Sequence, residues 1–109
     1  MLVLHLKRFG ESRKKIQTAV DFPLTEFDVS PLAHAAGSSP TYDLCAVCDH
    51  AGRRLNCGHY TAFGVDRSSG SWHKFNDSRV SSVDISSSLL GSGAYMLFYC
   101  LRENREVIV

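Results

Sequence analysis

Cys57-Gly58-His59-Tyr60-Thr61-Ala62-Phe63 and, further on, Trp72-His73-Lys74-Phe75-Asn76-Asp77 are the two runs that decide how this chain is read. Both are rich in the aromatic and β-branched residues that strands favour, and Asp66 to Gly70 between them has the composition of a turn. Tyr60 to Val65 and Ser71 to Asn76 therefore read as a hairpin. A two-residue turn at Arg67-Ser68 sets His59 opposite Asn76. A three-residue turn, Arg67 to Ser69, sets it opposite Asp77. In either register a carboxamide or carboxylate faces the imidazole with Cβ atoms roughly 5 Å apart. Such a partner can fix the tautomer and orientation of a histidine, as the third member of a catalytic triad does. The same arrangement also suits a histidine that is hydrogen-bonded within a sheet and does no chemistry.

Outward from this hairpin, most of the chain alternates as strands do. Met1 to Phe9 places Leu2, Leu4 and Leu6 on one face and Val3, His5 and Lys7 on the other. Because this strand begins without a lead-in, further sequence is expected before it. Gly10 to Lys15 is a charged loop, and Ile16 to Phe22 reads as short extended structure ended by Pro23. Phe27 to Pro31 suggests a turn or a short helix opened by Ser30 with Pro31 at its first position. Ala35 to Pro40 is a loop. Tyr42 to Cys48 is a strand, Asp49 to Cys57 a polar loop, and Arg79 to Val83 an extension of the Ser71–Asn76 strand after a bend. Asp84 to Leu90 suits one or two helical turns closed by Gly91 and Gly93. Ala94 to Leu101 is apolar on both faces, as an interior strand is. The expected organisation is one unit over residues 1–101 and a frayed tail over 102–109. There are no internal repeats. The fold class expected is α+β, mostly antiparallel sheet with one or two short helices.

Bulk properties narrow the function. A chain of 109 residues is about one small domain. Its 44% hydrophobic and 21% charged residues are ordinary for a globule. A net charge of +1 gives no electrostatic case for nucleic acid. No apolar run approaches the roughly twenty residues of a membrane-spanning helix. The N-terminus has no cleavage pattern of a signal peptide, so four reduced cysteines in a cytoplasmic or nuclear protein are expected.

A triad needs a nucleophile, and the candidates are poor. Cys57 is two residues from His59, too close in an extended chain to meet its ring. Cys45, Cys48 and Cys100 lie in strands, not at a helix N-terminus that would stabilise a thiolate. Small apolar fillers describe all four better. Zinc is the other chemistry to weigh, through Cys45, Cys48, His50, Cys57 and His59. However, Ala46-Val47 lacks the glycine or proline of a metal knuckle, and strand positions three apart face opposite ways. No metal or other cofactor is expected. His5, His34 and His73 read as structural or surface residues.

Tyr42 to Gly52, followed after five residues by Gly58-His59-Tyr60, resembles the histidine-box signature of the ubiquitin-specific proteases. Leu2 to Phe9, Val20 to Leu24, Trp72 to Ser78 and Ala94 to Tyr99 resemble that family's C-terminal segments in the same order. The likeness covers nearly the whole chain. It is nearest the members that carry Asn at the third triad position. It implies a papain-like cysteine protease fold of which this chain is the palm portion, and cleavage of the bond after ubiquitin's C-terminal glycine. His59 would be the general base and then acid. Asn76 would orient it, and Asp77 would add negative charge. His50, Gly52, Gly58 and Tyr60 would contact the substrate. Ala51 to Gly58 would be a gating loop over the ubiquitin tail, with Gly10 to Lys14 its shorter counterpart. The partners implied are ubiquitin and ubiquitinated proteins. The family's cysteine box, thumb helices and zinc-ribbon fingers have no counterpart here, so the chain alone is expected to be inactive. The alternatives are a catalytically inactive ubiquitin-binding module and a small zinc adaptor.

Overall fold

The computed structural model describes residues 1–10, 14–32, 40–54, 57–86 and 90–102. The expected loop at Ala35 to Pro40, His34 and the tail beyond Arg102 fall wholly or mostly outside them. Seven strands form one antiparallel sheet: β1 (Leu2–His5), β2 (Phe27–Asp28), β3 (Thr41–Arg54), β4 (Cys57–Val65), β5 (Trp72–Asn76), β6 (Arg79–Val83) and β7 (Ala94–Leu101). The order is β1-β7-β3-β4-β5-β6, with β2 paired to β3 off this path. A 3₁₀ helix covers Ser30–Leu32. The Asp28 carboxylate accepts the Ser30 N–H at 2.8 Å and is held below the usual carboxylate range by that bond.

β3 is the axis of the sheet. Its 14 residues, at about 3.3 Å each, make it the longest strand of the sheet. Leu44 lies opposite Tyr99 and Val47 opposite Phe63. On the far side of β7, Leu2 is opposite Tyr99 and Leu4 opposite Leu97. These pairs, with Phe22, Leu90 and Ala94, make the core. Each large apolar side chain so buried contributes roughly 1.5–3 kcal/mol. Tyr99 is fully buried, and its hydroxyl donates to the Pro23 carbonyl at 2.8 Å. Desolvation pushes its pKa up to about 12.

Three expectations are corrected. Asp49 to Cys57 is not a loop: β3 continues to Arg54 and β4 begins at Cys57, with a register shift between Ala51 and Arg54. Backbone pairing overrides the polar composition here, because side chains at a hairpin end can face water while the ladder continues. Gly52, with φ of 136°, supplies the backbone that this bulged segment needs. Arg79 to Val83 does not extend β5; it returns beside it as β6 after the turn at Asp77-Ser78, with Asn76 opposite Arg79. β1 ends at His5, so the strand expected to reach Phe9 is shorter.

Ile16 to Phe22 joins no strand, and the physical reason is Arg8. Its guanidinium donates to the Ile16 and Thr18 carbonyls at 3.0 and 2.9 Å, and to those of Gly91 and Ala94 at 2.6 Å each. One side chain replaces the ladder that a neighbouring strand would have offered. Arg8 extends the apolar register of Leu2, Leu4 and Leu6 by one step and is 3% exposed. That placement was the available signal that it points inward. At the Asp84 to Leu90 segment, the Leu90 N–H bonds the Ser86 carbonyl at 3.3 Å in helical spacing; residues 87–89 lie outside the description.

Candidate active site

His59 stands on β4, opposite Ala51 of β3. Asn76 closes β5. The two side chains meet: His59 Nε2 and Asn76 Oδ1 are 2.6 Å apart. Since an amide oxygen only accepts, the ring donates through Nε2–H, which leaves Nδ1 as the basic nitrogen of the neutral imidazole. His59 is exposed and Asn76 half-buried.

The route to this contact differs from both registers expected. Val65 is paired with Trp72 and Ala62 with Phe75. Continued by one step, the ladder sets Asn76 beside Thr61, so His59 is its diagonal neighbour, not its direct one. Diagonal same-face positions remain within reach of long or aromatic side chains. The register moved because the connection runs from Asp66 to Ser71. Asp66 accepts from the Ser68 N–H and Oγ at 3.0 and 2.7 Å, and its own N–H donates to the Ser71 carbonyl at 2.8 Å. Those bonds hold the Asp66 carboxyl below its ordinary range. An aspartate that organises its own turn makes a longer loop than the minimal ones.

Asp77 occupies the next turn, exposed, with φ of 51°. Left-handed backbone costs a non-glycine residue roughly 1–2 kcal/mol, least for Asp and Asn. Asp77 is therefore beside the His59–Asn76 pair in sequence, while the hydrogen bond belongs to Asn76.

The four residues expected to contact substrate divide. Tyr60 is 46% exposed and Gly58 is open to the surface. Gly52 is half-buried on the bulge. His50 is fully buried, so its ring lies behind the surface and not on it. It sits in an aromatic cluster, 4.7 Å from the Tyr60 ring and 5.4 Å from Phe9 between centroids, with Tyr95 at 6.5 Å. Gly58 does permit a close approach, but to this chain's own strand. A Cβ there would lie 2.3 Å from the Ala51 oxygen and 2.8 Å from His50 Nε2.

Beneath the site lies a charged group that sequence reasoning missed. Lys15 is 8% exposed, and its ammonium donates to the His50 carbonyl. Its N–H donates to the Arg53 carbonyl at 2.6 Å, and it bridges to Phe9. Lys15 thus ties the segment after β1 to the outer end of β3. Burial lowers its pKa, and the nearby Arg8 charge lowers it further. Asp49 is half-buried, and desolvation raises its carboxyl, opposed by Lys15, Lys74, His50 and Arg8. No composition or spacing signal distinguished Lys15 from the other basic residues of its loop.

Cys45 meets Cys100 across β3 and β7, not Cys48, at 2.7 Å between sulfurs. Among the described residues, no thiol is hydrogen-bonded to His59.

The family model for ubiquitin carboxyl-terminal hydrolase matches residues 1–99. Ubiquitin carboxyl-terminal hydrolase 2 of Gallus gallus is 45% identical over 102 residues, which cover 91% of this chain and 28% of that protein. Ubiquitin carboxyl-terminal hydrolase 21 of Homo sapiens is 43% identical over 106 residues, 94% of this chain and 18% of that protein. The chain therefore spans less than a third of either relative. Among solved structures, the SAGA DUB module of Ubp8, Sgf11, Sus1 and Sgf73 bound to monoubiquitin superposes with a TM-score of 0.79. The matched chain is 35% identical, and the match covers 93% of this chain and 23% of that one. A second structure of the Ubp8-Sgf11-Sgf73-Sus1 SAGA DUB module gives a TM-score of 0.76 at 36% identity, covering 94% of this chain and 24% of that one. The fold is the antiparallel sheet of a papain-like ubiquitin-specific protease domain. On the match across residues 1–99, this chain belongs to the ubiquitin carboxyl-terminal hydrolase family.

Proposed function

We propose that the chain is the histidine-bearing part of a thiol-dependent deubiquitinase, which removes ubiquitin from protein conjugates once a cysteine from the remainder of the catalytic domain faces His59. The observation that carries this reading is the 2.6 Å bond from His59 Nε2 to Asn76 Oδ1. It holds one tautomer and leaves Nδ1 to take a proton. In the proposed reaction Nδ1 accepts the thiol proton as sulfur attacks the carbonyl of ubiquitin's C-terminal glycine. The same proton then passes to the departing amine. Water resolves the thioester, with His59 again as base. Asn76 carries no charge to stabilise the imidazolium, and Asp77 is the nearest acid in sequence to supply one.

The test uses the full-length protein and a fluorogenic ubiquitin C-terminal amide. Turnover should occur, and His59→Ala should lower it by at least about 10²-fold, the usual scale for general acid–base catalysis. An unchanged rate in His59→Ala would refute the assignment.

A non-enzymatic reading, a ubiquitin-binding module without turnover, is favoured by one observation: no described thiol is bonded to His59. It predicts shifts in isotope-labelled ubiquitin on titration with the 109-residue chain, and no hydrolysis by any longer form.

A further inference from the structure

Cys45 of β3 and Cys100 of β7 form a thiol–thiol contact outside the candidate active site that its chemistry leaves unused. Their sulfurs lie 2.7 Å apart, well inside the separation of two unbonded sulfur atoms and approaching the disulfide length of about 2.05 Å. The register explains the meeting. Cys100 is paired with Asp43, so Cys45 is its diagonal neighbour on the same face. The Cys45 thiol also reaches the Phe98 carbonyl at 3.3 Å. Both residues are half-buried, accessible to a small solute. Cys48 is three residues along β3, and strand alternation gives it the opposite face from Cys45.

We propose that Cys45 and Cys100 are a reversible oxidation site, closed by a peroxide-class oxidant to a disulfide between β3 and β7 and reopened by a thiol reductant. The steps balance. One thiol attacks the peroxide oxygen, which gives a sulfenic acid and releases one water from hydrogen peroxide. The neighbouring thiol then attacks the sulfenic sulfur; the S–S bond forms, and hydroxide leaves and takes that thiol's proton as a second water. Two electrons pass from the sulfurs to the peroxide. A dithiol restores both thiols and becomes the cyclic disulfide. Burial, followed by the contact with Cys100, pushes the Cys45 thiol up to about 12. Whichever sulfur is oxidised first, its sulfenic acid has the partner thiol already in contact. The bond would close a 55-residue separation and link the long strand that carries His50 with its neighbour in the sheet.

The experiment exposes the full chain to hydrogen peroxide under native conditions and in guanidinium, blocks remaining thiols with a maleimide and maps peptides by mass spectrometry. Because Cys45 and Cys48 share a tryptic peptide, the Cys48→Ser variant assigns the bridge. The expected result is one crosslink joining the Cys45 and Cys100 peptides, with loss of two hydrogens. It should persist in Cys48→Ser, vanish in Cys45→Ser and in Cys100→Ser, and reverse with dithiothreitol. It should dominate natively and give way to mixed pairings in guanidinium. The oxidised chain should also show a higher denaturation midpoint than the reduced one. A crosslink that requires Cys48, pairings equally mixed in both conditions, or sulfinic acid formed at these residues without any crosslink would each overturn the proposal.

Discussion

At the residue scale, the proposed function rests on one short bond and one missing side chain. Asn76 positions His59 through an acceptor oxygen, so its removal should cost orientation and tautomer but not the imidazole itself. Under the proposed activity, Asn76→Ala in the full-length protein should lower kcat/KM for a ubiquitin amide by about 10²-fold, while Asn76→Asp, which keeps the acceptor, should retain most of the rate. Steady-state kinetics on the two variants separates them; equal losses would mean that the bond is incidental. Gly58 is a structural requirement. Its φ of 156° and the 2.3 Å that would separate an added Cβ from the Ala51 oxygen leave no room for a side chain. Gly58→Ala should destabilise the fold by about 1–3 kcal/mol, the range for overpacking, read as a lower denaturant midpoint with unchanged slope. His50, legible in sequence as part of the signature, is buried, and only the fold could show that its ring supports Tyr60 from behind.

At the scale of elements, the strands follow from alternation and the register does not. Alternation is local, whereas register depends on how each turn closes. Asp66 hydrogen-bonds within its own loop and lengthens the connection, which moves Asn76 from opposite His59 to its diagonal. Arg8 is the counterpart on the other side of the sheet. Its four bonds join Ile16 and Thr18 to Gly91 and Ala94. Arg8→Met should fit the volume but leave buried carbonyls without a donor, a loss of roughly 3 kcal/mol or more. The check is the denaturation midpoint, with hydrogen exchange expected to quicken first near Leu90 to Ala94. The Asp49 and Lys15 pair gives a pH dependence. Burial raises the Asp49 pKa above its ordinary 3.8, so the folded state holds the proton that the unfolded state has released. Stability contributed at this site should therefore fall as pH rises from about the ordinary carboxylate value through the higher folded one. Asp49→Asn should flatten that slope. A wild-type stability curve that rises over the same interval relative to Asp49→Asn would refute it.

For the whole molecule, the dimensions are 52 × 35 × 19 Å with a radius of gyration of 15.7 Å. A compact chain of 109 residues would have a radius near 13 Å. The shape is a thin slab, essentially one sheet. The apolar side chains Val3, Phe75, Val80 and Tyr60 stay 44–59% exposed on it. A sheet normally buries at least one face against a second layer. The isolated chain should therefore melt below the roughly 45–65 °C of ordinary mesophile domains and bind a hydrophobic dye. Addition of the rest of the catalytic domain should raise the transition and quench the dye. A sharp transition within the ordinary range for the chain alone would contradict this.

Sequence by itself determined the strand-rich class, the interior position of Ala94 to Leu101, and the pairing of His59 with a polar side chain at the end of the following strand. These follow from local periodicity and residue chemistry, which act over a few residues. Tertiary structure decided which polar side chain bonds His59, that His50 is inside, that Arg8 and Lys15 are buried donors to backbone carbonyls, and that Cys45 meets Cys100. Each of these depends on turn closure and sheet order, which bring together residues from 8 to 86 positions apart. No local pattern encodes that separation.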